Sequence, residues 1–133
     1  MRCSLLPALV AVMIGLAAPA AYASATILTF EGLQDGEQIL GFYNGGLGSD
    51  GSGPGGNVGV TFSANAFAAT DSSSGGSGNF AGEPTPKTVV FFVGGGPDVM
   101  NVAGGFTTAF SFFYSGIDQG GSIDIWSGLD ATG

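Results

Sequence analysis

The sequence predicts an all-β protein: an antiparallel β-sandwich of jelly-roll type, incomplete at its C-terminus and preceded by a signal peptide. Three observations carry this. Apolar residues alternate with period two along several runs, and no segment after the leader shows an i, i+3, i+4 apolar face. The chain holds 26 glycines, which suits many turns. It also holds 11 phenylalanines, with 44% hydrophobic and only 9% charged residues, so it has apolar surface to bury and lacks the profile of a disordered chain.

The first element is the leader. Met1-Arg2 precedes an apolar run from 5 to 18, then "APAAYASAT" supplies small residues at A-x-A spacing. A basic start, a short apolar stretch and such a site make a signal peptide over 1–23, cut after Ala23 or Ala25. The apolar run is shorter than the roughly 20 residues that span a bilayer. Cys3 leaves with it, so residues 24–133 form a single β-sandwich domain with no cysteine.

The strands follow in order. "TILTFE" (26–31) puts Leu28 and Phe30 on one face, and Asp35-Gly36 in "LQDGEQIL" marks a hairpin turn between two apolar runs. "GVTFSA" places Val60 and Phe62 together, and "KTVVFFV" is a continuous apolar run expected to be buried on both faces. "GFTTAFSFFYS" gives the plainest alternation, with Phe106, Thr108, Phe110, Phe112 and Tyr114 on one face. Phe110 and Phe112 are therefore expected in the core. "SIDIWS" sets Ile123 and Ile125 opposite Asp124 and Trp126. "SGLDATG" then ends without a closing strand, which suggests the front part of a longer, truncated sandwich.

The stretch "GGLGSDGSG" (45–53) fits two functional patterns. Gly46, Gly48 and Gly51 spell the dinucleotide fingerprint, which needs a helix immediately after it. "SGPGGNVG" cannot start one, so no cofactor is expected. Asp50 sits where a calcium-binding nonapeptide repeat places its aspartate, but those repeats work in tandem and here there is one copy. A structural calcium would need Asp50 joined by other acids, with Glu31 and Asp71 as candidates. The preferred reading is a flexible, solvated loop.

Composition removes most catalytic chemistry. There is no histidine, which excludes Ser-His-Asp and Cys-His catalysis and most zinc, iron or copper sites. With the leader gone, ten carboxylates face one base, Lys87, for a net charge near −9, which excludes nucleic acid as a partner. No catalytic residue is assigned. Carboxylate-based glycoside hydrolysis is the one surviving reaction class, but most acids sit in loops beside Gly, Ser or Asn. Glu31 is expected at a strand rim, accepting backbone amides. For sugar binding the candidates are Trp126 and Tyr43, whereas Tyr114, on the Phe110 face, is expected in the core.

The phrases "TFEGLQDGEQILGFYNGG", "GVTFSANA", "GNFAGEPTPKTVVFF", "MNVAGGFTTAFSFFYS" and "IDIWSGLDATG" resemble the N-terminal β-rich domain of PEP-CTERM exported proteins. The resemblance implies a Gram-negative source and export to the cell surface or beyond, in association with exopolysaccharide and biofilm. A C-terminal Pro-Glu-Pro sorting tail in that family is processed by an exosortase. Glu83-Pro84-Thr85-Pro86 is not that motif, so sorting machinery is a partner only if a tail follows, and without one the location would be periplasmic. The leading expectation is a non-catalytic surface or matrix protein, with extracellular polysaccharide as a partner. The alternatives are a carbohydrate-binding module with a structural calcium and, third, a glycosidase.

Overall fold

A computed structural model describes residues 24–93, 96–114 and 121–133; the expected signal peptide and Asp118 lie outside the described residues. The described residues form β-strands, turns and two short 3-10 helices, Phe42–Asn44 and Ser72–Ser74, with no α-helix among them. The chain is thus β-rich, with small antiparallel sheets. Strands β1 (Val60–Phe62), β2 (Ala66–Thr70), β3 (Thr88–Phe92) and β4 (Met100–Val102) pair as β1 with β4 and β2 with β3.

The two ribbons are halves of one bent hairpin. Phe62 faces Met100 and Ala66 faces Phe92, so the three residues 63–65 on one side are matched by the seven residues 93–99 on the other. Ser63 closes this interruption. Its N–H donates to the Val99 carbonyl (2.9 Å), while its hydroxyl accepts from the Val99 N–H (3.0 Å) and donates to Asp98 (2.7 Å). Residues 36–39 run along the free edge of β2: the Gly36 N–H donates to the Ala68 carbonyl, the Ala68 N–H to Glu37 and the Ile39 N–H to Ala66, at 2.8–3.1 Å. β2 is therefore paired on both edges.

This differs from the local hairpin expected across Asp35-Gly36. The turn exists, with Gly36 at φ +81° and the Glu37 N–H donating to the Gln34 carbonyl. The run 26–31 is not a strand, however, and 36–39 pairs with β2 instead. Phe30 sits at φ +62° and Leu40 at φ +47°, conformations that bulky residues adopt only when their surroundings impose them. At Phe30 the surroundings are visible. Its N–H donates to the Tyr43 hydroxyl, and its ring packs edge-on against Tyr43 and Phe62, each with centroids 5.9 Å apart.

The core is small: Leu33, Ile39, Phe42, Tyr43, Val60, Ala66 and Ala68, with Phe30, Phe62 and Val90 packed against it. Of the 11 phenylalanines only Phe42 is buried, which corrects three expectations. "KTVVFFV" does form β3, but its Phe91 and Phe92 are exposed, so it is not buried on both faces. Residues 103–114 form no strand, and Phe110 and Phe112 are 41% and 48% exposed. The chain bends at Thr107–Thr108, so Phe106 stacks on Phe110 (5.5 Å) instead of continuing an extended row. Ile123 and Ile125 are exposed too. Alternation shows which side chains share a face; it does not supply the element that covers that face.

Candidate functional site

The most constrained polar group is the carboxylate of Glu37, which is fully buried. Its Oε1 accepts the N–H groups of Asp50 (2.9 Å) and Ser52 (3.1 Å), and its Oε2 accepts that of Gln34 (2.8 Å). Burial would raise this carboxyl, but hydrogen bonds from Ser52, Gln34 and Asp50 outweigh it and hold it below its ordinary value. The loop 45–53 is wrapped around this charge. Gly48 is buried where a Cβ would collide with Glu37 Oε1, so the backbone approaches the acid only because no side chain stands between them. Far from being loose, the loop is tied to the core. The Asp50 side chain is exposed and, among the described residues, takes only the Ser49 hydroxyl (3.0 Å).

Other acids do the same work. Glu31 Oε1 accepts the N–H groups of Lys87 (2.9 Å) and Thr88 (2.8 Å). Asp35 accepts those of Thr70 and Ser77, and these bonds lower its carboxyl. Asp71 caps the second 3-10 helix through the Ser73 N–H and is lowered by that contact. Asp98, beside Ser63, goes the other way: burial raises it more than its hydrogen bonds lower it. These acids bridge segments up to 57 residues apart, in a chain whose expected mature part has no disulfide to do so.

The metal candidates are not gathered. Glu31 and Asp71 both neighbour Lys87, since Glu31 accepts its N–H and the Asp71 N–H donates to its carbonyl. Asp50 belongs to the Glu37 loop. No group of three or more His, Cys, Asp or Glu suited to a metal forms among the described residues. The sugar candidates separate as well. Tyr43 is buried, its hydroxyl accepting from Phe30, and offers no free ring face. Trp126 is 50% exposed, and Tyr114, expected in the core, is 74% exposed.

A shallow groove of about 460 Å³ runs between the N-terminal segment and the loop 53–56, lined by Ile27, Glu31, Phe42, Tyr43, Pro54 and Val58. Its aromatic walls are buried, and Glu31 is already engaged by Lys87 and Thr88. Glu37 itself escaped sequence reasoning. The legible signal was its phase: it stands two residues before Ile39 and four after Leu33, on the inward side of that run. A scan against protein-family models finds no match to this chain, and searches of curated proteins and of solved structures find none either.

Proposed function

We propose that this is a non-catalytic exported protein, a component of the bacterial cell surface or extracellular matrix, built on a β-sandwich and associated with exopolysaccharide. The observation that supports the non-catalytic part is how the carboxylates are used. Glu31, Asp35, Glu37 and Asp71 accept backbone N–H groups, which suits anchoring loops and leaves them poorly suited to proton transfer. Export rests on the leader, and the surface role on the resemblance to PEP-CTERM proteins.

The test is expression in a Gram-negative host, followed by fractionation, mass spectrometry of the N-terminus and incubation with polysaccharides. The expected result is an exported chain beginning after Ala23 or Ala25 that releases no reducing ends. An intact leader on the product, or turnover of a glycan, overturns the reading. Polysaccharide binding without catalysis is the second reading, favoured by the exposed indole of Trp126. Loss of glycan-array binding on Trp126→Ala would support it.

A further inference from the structure

Residues 106–114 read Phe-Thr-Thr-Ala-Phe-Ser-Phe-Phe-Tyr and carry no charge, in a chain of net charge −8. Phe110, Phe112 and Tyr114 form a row with ring centroids 5.7 and 6.1 Å apart, close to the i, i+2 repeat of an extended strand. Successive rings lean on one another at 30° and 44°, so their faces turn along the row. Such a row suits packing beside another strand better than stacking on a sugar, which needs open ring faces. Phe113, on the opposite side, is 81% exposed. Among the described residues no backbone N–H or carbonyl of 106–114 has a hydrogen-bond partner.

We infer that residues 110–114 pair with the same residues of a second copy of this chain, as antiparallel strands about a two-fold axis at Phe112. Charge restricts the occupant to one that brings an uncharged strand. Two strongly acidic chains repel over most of their surface and can approach across an uncharged segment, while a basic partner finds no counter-charge there. The segment is also self-complementary. Phe112 faces its own copy, Phe110 faces Tyr114 and Ser111 faces Phe113, giving aromatic cross-strand pairs and an isologous contact. The surface reaches the lower end of a specific interface, about 600 Å² per partner. Aromatic side chains bury about 150–250 Å² each, so the exposed parts of Phe106, Phe110, Phe112, Phe113 and Tyr114 amount to about 600 Å². A standard interface takes about 800 Å² per partner, and a monomer rarely leaves more than about 300–600 Å² of apolar patch bare. The inference stands on this segment alone and does not depend on export.

The experiment uses the full chain carrying Cys3→Ser, so that every thiol is an introduced one. Opposed residues of an antiparallel pair have Cα atoms about 4.5–5.5 Å apart, within disulfide reach. Under mild oxidation, Phe112→Cys should give a covalent dimer. So should a mixture of Phe110→Cys with Tyr114→Cys, while Phe110→Cys alone should not. Cross-linking of Phe110→Cys alone as strongly as Phe112→Cys would mean parallel, in-register stacking and overturn the pairing; so would no cross-link in any variant. Sedimentation of the cysteine-free chain from about 1 to 100 µM, which brackets an ordinary micromolar association, should show monomer giving way to dimer. Phe112→Lys should abolish that shift with an unchanged circular dichroism spectrum, because Phe112 lies outside the core. A chain that stays monomeric throughout refutes the inference.

Discussion

Replacing Glu37 by glutamine keeps the side chain's shape and removes its charge. The carboxylate accepts three backbone N–H groups, two on Oε1 and one on Oε2. An amide can accept on one side only. In its less costly orientation the oxygen keeps Asp50 and Ser52, and the NH2 group meets the Gln34 N–H donor to donor. Hydrogen bonds to a charged group contribute about 1.5–3 kcal/mol each and neutral ones about half that, so losing one and weakening two costs about 3–6 kcal/mol. For a domain of this size that is a fall in Tm of about 12 °C or more. Thermal unfolding followed by circular dichroism measures it. The pH dependence adds a second check. The Glu37 carboxyl lies below its ordinary value in the fold, so its contribution is complete above the unfolded value, near 4.3, and is lost as pH falls through the folded one. The gap between the parent chain and Glu37→Gln should be full at pH 7 and close on acidification. A gap under about 2 °C at pH 7, or one that widens in acid, would refute the account of Glu37 as the anchor of the loop.

Gly48→Ala should destabilise by about 1–3 kcal/mol, because its Cβ collides with Glu37 and crowds Leu33; chemical denaturation measures the loss. Asp35→Asn should speed amide hydrogen exchange at Thr70 and Ser77 while leaving Asp50 and Ser52 protected, since each acid holds its own pair of amides. Millimolar calcium should move the Tm by less than about a degree, whereas a site of about 10 µM Kd would add about 2.7 kcal/mol at 1 mM. A larger shift that disappears in Asp50→Asn would place an ion in the 45–53 loop after all.

The use of acids as anchors follows from composition. A chain this rich in glycine loses much backbone entropy on folding, and its hydrophobic core is small. With Arg2 and Lys87 the only bases against ten carboxylates, most of the acids cannot be neutralised by ion pairs, and backbone amides are the donors that remain. Glu31, Asp35 and Glu37 lie close together in the segment 31–37 and reach outward to Lys87–Thr88, Thr70 and Ser77, and Asp50 and Ser52. That segment is therefore a hub that holds the end of β2 and the Ser77 region, the start of β3, and the loop 45–53.

The sequence by itself determined the β class, the turn at Asp35-Gly36 and the strands β1 and β3, because period-two runs and a turn dipeptide are local signals. It gave no sign of β2, whose Ala-Phe-Ala-Ala-Thr is poor in the residues that favour strands and is held by partners on both edges. The short β4 was equally silent. Tertiary structure alone decided which alternating faces are covered, and it left Phe110, Phe112 and Tyr114 bare where the pattern had promised a core. It alone decided that Glu37 is buried and that Asp50, in the more suggestive motif, stays in solvent. The reason is the same in each case: a residue's periodicity is written in its neighbours along the chain, while its burial and its hydrogen-bond donors come from segments brought to it from far away.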